Sequence, residues 1–598
     1  MTVPRAEYPR PQFIRPDWLC LNGEWQFEID HGDSGLERGL CERDLARRIL
    51  VPFCPESPLS GVGYTDFMSA VWYRRQVTIP SEWIGRNVLL HFQAIDYDAT
   101  IWVNGVEVRR HRGGFTPITC DLRGVASPGD TITIVVRARD NHTLPQPRGK
   151  QSQRYENYSC FYTRTTGIWQ TVWLEPIPEC ALKRPRLTPD VANGVIHLQQ
   201  PLSATRPGLR LRATLGDADG PIGTFECAAD QDFAPQLALS IPSERRRLWS
   251  PQDPHLYNIV IELVDASGNR VDKATTYAGL RGVTIEGKAI KINGQPLFQR
   301  LVLDQGFYPD GILTAPSDQA LENDIKLSQA AGFNGARLHQ KVFEERFLYH
   351  ADRLGYLVWA EFPDWGCRGY GPADDHQQPT IAYAAQWLEE VERDYSHPCI
   401  IGWCPFNETA QPITDRITVL DDAERALFLA AKAMDATRPV LDASGYAHRV
   451  PESDVYDCHD YDQNVESFTA RHAGVADGKP YYNGPQDKPW SLPYAGQPFF
   501  VSEFGGTWWN PQAIHDKDRS SSWGYGNAPT NLDEFYQRFE GLCSALLDNP
   551  AMFGYCYTQL TDVYQEQNGI YTFDRKAKFD LQRLRSIQMR QAAIEKMA

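Results

Sequence analysis

Cys399-Ile400-Ile401-Gly402-Trp403 is a short apolar run that leads through Cys404-Pro405-Phe406 to the polar pair Asn407-Glu408. Such a run, apolar at successive positions and bounded by a proline, reads as a strand buried on both faces, as in a parallel sheet covered by helices. The unit recurs on either side. Pro296 to Leu303, Phe333 to Leu338 and Tyr356 to Ala360 precede it, and Val440 to Leu441, Val455 to Tyr456, Phe499 to Val501 and Phe553 to Tyr557 follow. Helical signals lie between these runs. Leu420, Ala423, Leu427, Ala430 and Met434 fall on one helical face, and Ser317 is placed to cap a helix carrying Leu321 and Ile325. Eight buried strands joined by helical crossovers over residues 284–598 predict a (β/α)8 TIM barrel.

Upstream the rhythm is that of short strands and turns. In 1–178, Ala70 to Val77 and Val88 to Phe92 read as strands, and Asn104-Gly105 between Thr100–Val103 and Val106–Val108 supplies the positive φ angles of a tight hairpin. In 179–283, Val195–Leu198 and Asn258–Leu263 recur between Asp219-Gly220 and Ser267-Gly268-Asn269 turns. Two β-sandwiches are expected ahead of the barrel.

Bulk properties exclude several classes. Of 598 residues, 42% are hydrophobic and 23% charged, which leaves no room for extensive disorder. The net charge of −16, with no basic patch, argues against nucleic acid as a partner. Met1 to Tyr8 lack the apolar core of a signal peptide, and no later segment is long and apolar enough to span a bilayer, so a cytoplasmic location away from membranes is expected. The thirteen cysteines are odd in number and follow no CxxC spacing, and Cys399, Cys404 and Cys556 lie in apolar runs; they read as reduced core thiols, with metal ligation second. With no His-Glu-x-x-His, no GxGxxG after a strand and no P-loop, neither a metal nor a cofactor is expected. A symmetric homo-oligomer is the general expectation for a chain of this kind.

In such a barrel the chemistry sits at the C-terminal ends of the strands. Arg337 and His339 close the second run, Glu361 and Asp364 the third, Asn407 and Glu408 the fourth, His459 and Tyr461 the sixth, Glu503 the seventh, and Gln559 and Asp562 the eighth. Glu408 and Glu503 are the pair suited to acetal cleavage, one protonated to donate to the leaving oxygen and one ionised to meet the oxocarbenium carbon. Asn407 is placed to hydrogen-bond a sugar hydroxyl. The structural alternative for both glutamates is a helix cap or an arginine partner such as Arg337. Trp365, Trp508 and Trp509 are candidates to stack on a sugar face, with wall packing the alternative. In the loop Pro145 to Gln151, Arg148 or Lys150 could reach the pocket; the alternative is a solvated basic loop.

The run His397 to Glu408 resembles the acid/base signature of glycoside hydrolase family 2, the superfamily of β-galactosidases, β-glucuronidases and β-mannosidases with clan A barrels. Phe500-Val501-Ser502-Glu503-Phe504-Gly505 resembles its nucleophile strand. Val71 to Arg75, Asp98 to Gly105, Thr166 to Glu175 and Leu248 to Pro251 are similar to its first two domains, so the likeness covers nearly the whole chain in order. The resemblance implies a jelly-roll β-sandwich, an immunoglobulin-like β-sandwich and a TIM barrel, and an exo-acting hydrolase that retains anomeric configuration. It implies Glu408 as acid/base, Glu503 as nucleophile, and Arg337 as the residue that orients the nucleophile. Tyr461 is then placed to donate to Glu503, and His339, Asp364, His459, Gln559, Asp562 and Gln565 are candidates for binding sugar hydroxyls.

Family members act on β-galactosides, β-glucuronides, β-mannosides and some pentosides. Gln299 to Gln305 lacks the His-based pattern of the large β-galactosidases, and no Asn-x-Lys late in the barrel matches the one that grips a glucuronate carboxylate. The expectation is a β-galactosidase, then an exo-furanosidase acting on galactofuranosyl or arabinofuranosyl ends, then a β-mannosidase or β-glucuronidase. A non-catalytic carbohydrate-binding protein is the reading from a different class.

Overall fold

Alternation of buried and exposed side chains shapes the first two units, which a computed structural model describes together with the third over residues 3–364, 367, 378–513 and 521–596. In the first, a six-stranded sheet runs in the order Arg47–Val51, Gly23–Asp30, Ala70–Thr78, Thr131–Arg139, Asp98–Val103 and Val106–Arg112. It faces a sheet of Leu19–Cys20, Val172–Ile177, Asn87–Phe92 and Ile118–Asp121 across a core that includes Trp25, Phe27, Tyr73, Leu90, Ile101 and Leu174. The Asn104-Gly105 hairpin is formed, with φ of 51° and 79°. The second unit packs Arg186–Asp190, Val195–Gln199 and Gln236–Ser240 against Gly220–Ala228, Arg210–Asp217, Tyr257–Val264 and Arg270–Ala278. Leu198, Leu211, Ile259 and Ile261 fill the space between its sheets.

The barrel strands are β1 (Gln299–Asp304), β2 (Gly335–Leu338), β3 (Leu357–Glu361), β4 (Ile400–Cys404), β5 (Tyr456–Asp460), β6 (Phe499–Phe504) and β7 (Met552–Tyr557). They pair in parallel in the order β4-β3-β2-β1-β7-β6-β5, and every residue in them is buried. Among the described residues seven α-helices cover them, including Asp318–Ala331, capped by the Ser317 side chain as expected, and Val419–Met434.

The expected strand at Val440–Leu441 is a correction. It closes the ring between β4 and β5 through isolated parallel bridges, Trp403 with Val440 and Asn407 with Ser444. Its other edge meets carboxylates rather than a ladder: Val440 N donates to Asp454 Oδ2 and Gly445 N to Asp457 Oδ1, both at 2.9 Å. Local side-chain acceptors here compete with regular strand pairing.

Buried charge ties the three units together. Glu345, on the helix Glu345–Leu354, accepts from Arg184 of the second sandwich at 2.8 Å and from Gln93 of the first at 3.2 Å. All thirteen cysteines are unpaired thiols, and Cys399, Cys404 and Cys556 are buried. Among the described residues no helix is long and apolar enough to cross a membrane.

Candidate active site

The ends of β2, β4, β5 and β6 converge on two carboxylates. Along β5 and β6 the register pairs Cys458 with Val501 and then His459 with Glu503, so Ser502 is accommodated as a bulge beside the glutamate. Bulges of this kind re-aim a side chain at a barrel rim. Glu408 leaves β4 with a left-handed backbone, φ 52°, and its N–H donates to Ser444 O at 2.9 Å. The irregular fifth position thus sets the turn that presents the second carboxylate.

His459 lies between the two. Its Nδ1 is 2.8 Å from Glu408 Oε1 and 3.4 Å from Glu503 Oε2, and its Nε2 is 3.0 Å from Ser444 Oγ. Burial opposes charge on this ring, but Glu503 and Glu408 outweigh it and raise its pKa. One carboxylate oxygen of Glu408, one of Glu503 and a ring nitrogen of His459 lie within 4.8 Å of one another.

Glu503 is held on both oxygens. Arg337 Nη1 donates to Oε1 at 3.2 Å, and the Tyr461 hydroxyl donates to Oε2. Burial, then Glu503, push the Tyr461 phenol well above its ordinary range, so it remains a donor. Tyr525 stacks on Tyr461 with ring centroids 3.4 Å apart and planes at 4°. Arg337 is used completely: it also pairs with Glu361, donates to Ser502 O, and donates to Asn407 Oδ1 at 3.1 Å. Asn407 N donates in turn to Asp364 Oδ2 at 3.2 Å, while Asn407 Nδ2 is buried with no acceptor among the described residues. Burial pushes Asp364 up to about 8, so it is largely protonated at neutral pH. His339 donates or accepts at Glu361 Oε2, 3.0 Å away, and burial and then Lys150 drive its pKa well below the ordinary histidine value.

Several other expected residues are engaged by partners within the protein. Gln559 accepts from Gln305 at 2.6 Å and donates to Asn568 at 2.7 Å, so both ends of its amide are bound within the protein. Asp562 pairs with Lys578 at 2.7 Å on the wall of a separate cleft that also includes Trp509. Gln565 donates to Ser159 O and Phe161 O, fastening the barrel to the first sandwich. Trp508 donates from its indole to Ser522 Oγ at 3.0 Å, and Trp365 lies outside the described residues.

The basic loop is buried, not solvated. Arg148 folds back on the carbonyls of Asn141, His142 and Leu144, whereas Lys150 is raised in pKa against burial by Cys160, then Glu566, Glu503 and Glu408. Three contributors were not singled out from sequence. Tyr446 bonds to Glu408, which together with burial raises its phenol pKa; Tyr162 donates to Glu566; and Glu566, raised by burial, adds a third carboxyl to the wall. Tyr446 follows the fifth apolar run by a few residues, the position at which the other strands carry their site residues.

Among the described residues two groups of donors could hold a metal ion: Glu408, His459 and Glu503, and a deeper set of Asp352, His397 and Cys399. In the deeper set Asp352 accepts from Tyr277 at 2.8 Å and lies 2.6 Å from His397 Nδ1. These contacts already satisfy it as an internal hydrogen-bond network.

Three family models match the chain in order: glycosyl hydrolases family 2, sugar binding domain, over 58–174; glycosyl hydrolases family 2 over 184–281; and glycosyl hydrolases family 2, TIM barrel domain, over 283–591. The chain is 28% identical over 448 residues to a β-glucuronidase of Paenibacillus borealis, covering 70% of this chain and 72% of that one. It is 24% identical over 421 residues to a β-galactosidase of Thermoanaerobacter pseudethanolicus, covering 67% of this chain but only 52% of that relative. Among solved structures, the β-glucuronidase from Ruminococcus gnavus in complex with D-glucuronic acid superposes with a TM-score of 0.74 at 20% identity, covering 98% of this chain and 100% of that one.

Proposed function

The chain belongs to glycosyl hydrolase family 2, and from that premise we propose that it is an exo-acting glycosidase that retains anomeric configuration, with Glu503 as nucleophile and Glu408 as acid/base. The observation that carries this reading is that one oxygen of each carboxylate lies within 4.8 Å of the other, with His459 between them. Double displacement uses carboxyls roughly 5–5.5 Å apart, whereas inversion needs about 6.5–9.5 Å to admit a water between them.

In the first step Glu503 bonds to the anomeric carbon as the glycosidic C–O bond breaks, and Glu408 passes its proton to the departing oxygen. In the second step Glu408 removes a proton from water, the water oxygen attacks the anomeric carbon, and Glu503 leaves as carboxylate. Arg337 and Tyr461 fix the direction of Glu503, and Asn407 Nδ2, unpaired and buried, is free to bind a hydroxyl beside the reacting carbon. Tyr461→Phe is expected to lower kcat on the order of 10–100-fold with KM little changed, because it removes a donor to a charged group that chemistry requires in one orientation.

For the glycone we propose a β-glucuronide ahead of the β-galactoside that the sequence led us to expect. Relatives named β-glucuronidase support it, as does the cationic Lys150 in the loop that docks on Pro363 and Gln340. The β-galactoside is the second reading, favoured by the missing Asn-x-Lys and by the similarity to a β-galactosidase. A panel of p-nitrophenyl glycosides, pyranosides and furanosides together, separates these readings, and proton NMR of the first product formed should show the β-anomer. An α-anomer as first product would overturn retention, and silence across the panel, with sugar still bound, would favour a non-catalytic binding protein.

A further inference from the structure

The loop Pro145 to Gln151 fixes a lysine in a place that the two-step chemistry does not use. Gly149 N donates to Pro363 O at 2.8 Å, and a Cβ at Gly149, where φ is 58°, would stand 2.2 Å from Gln340 O. Only glycine permits so close an approach to the barrel. On its other side the loop is pinned by Tyr162 N to Lys150 O at 2.9 Å, Ser152 N to Tyr162 O at 2.8 Å and Gln151 Nε2 to Asp96 Oδ2 at 2.8 Å.

Lys150 itself is 9% exposed, yet its ammonium makes no hydrogen bond or ion pair with any described residue. Burial opposes its charge, but Cys160, then Glu566, Glu503 and Glu408, act on it without bonding to it and raise its pKa. Two neighbouring arginines are committed: Arg337 to Glu361, Glu503, Ser502 and Asn407, and Arg148 to three backbone carbonyls. A loop pinned on both sides that holds an ammonium with no bonded acceptor among the described residues leaves its donors available to an incoming anion.

We propose that Lys150 receives the carboxylate of a uronic acid glycone seated on Glu503, so that the first sandwich, rather than the barrel, selects substrate charge. This rests on the glycosidase reading and on the glucuronide glycone given above. An ammonium has three donors and no acceptor, and its bonds to a carboxylate are about twice as strong as those to a neutral hydroxyl.

The test compares kcat/KM on p-nitrophenyl β-D-glucuronide and p-nitrophenyl β-D-glucoside, which differ only at C6, for the wild-type enzyme, Lys150→Met and Lys150→Arg. The expected result is that the glucuronide-to-glucoside ratio falls about a hundredfold in Lys150→Met and is largely recovered in Lys150→Arg. Inhibition by free D-glucuronate should weaken in parallel, and a thermal melt within a few degrees of wild type would show that the loop is still docked. If Lys150→Met lowers both substrates equally, or leaves the ratio as it was while wild type hydrolyses the glucuronide, the assignment of Lys150 fails and the glucuronidase reading stands. If wild type is inactive on the glucuronide but hydrolyses a galactoside, the glycone reading itself fails and takes the proposal with it.

Discussion

Glu503→Ala is expected to lower kcat/KM by at least about 10⁴-fold, and azide is expected to restore turnover with inverted configuration at the anomeric carbon. Removal of the carboxylate opens the face of the sugar that Glu503 occupied, held there by Arg337 and Tyr461. A small anion can enter that space and attack once. Because the second displacement no longer follows, a β-glycoside yields an α-glycosyl azide, identifiable by the coupling constant of its anomeric proton. A Glu503→Ala enzyme with near-normal rate, or an azide product of retained configuration, would remove Glu503 from the role.

Glu408→Ala should behave in the opposite way. Proton donation contributes about 10²–10⁴-fold where the leaving oxygen is basic, and little where it is not. The expected result is a loss in kcat/KM of that size on a methyl glycoside and less than about tenfold on a dinitrophenyl glycoside. The general acid must be protonated to work, so the wild-type rate should fall on the alkaline side, and this limb should vanish in Glu408→Ala. Azide should accelerate kcat by replacing water in the second step, giving a β-glycosyl azide. Equal losses on both leaving groups would show that Glu408 is not the acid.

The barrel was legible because its strands are buried on both faces, and a run such as Phe499 to Val501 leaves no other economical reading. The place of Glu408 and Glu503 at the rim was legible for the same reason, since each glutamate closes such a run. What escaped was whatever depends on two distant segments meeting. Nothing local in Asp562 shows that Lys578 claims it, and nothing in Gln565 shows that its amide turns to Ser159 and Phe161. Lys150 was the reverse case: a polar loop with proline and glycine reads as solvent-exposed, and only its docking beneath Pro363 and Gln340 buries it. The fifth strand was misread because Val440-Leu441 offers two apolar residues before Asp442, whose carboxylate accepts from the N–H groups of Arg449 and Val450.

The wall in which Tyr162 grips Glu566 has a consequence for how the molecule comes into being. The ribosome releases the lid before the vessel: the loop that carries Lys150 leaves the exit tunnel ahead of Gln340 and Pro363, on which it rests, and Tyr162 waits longer still, until Glu566 follows β7. A barrel made by itself would be an open bowl with bulk water at the rim and Glu566 without its phenol, whereas the complete chain closes on a dry cup at the final stage of folding. Competence for turnover should therefore appear late and all at once in the life of each molecule.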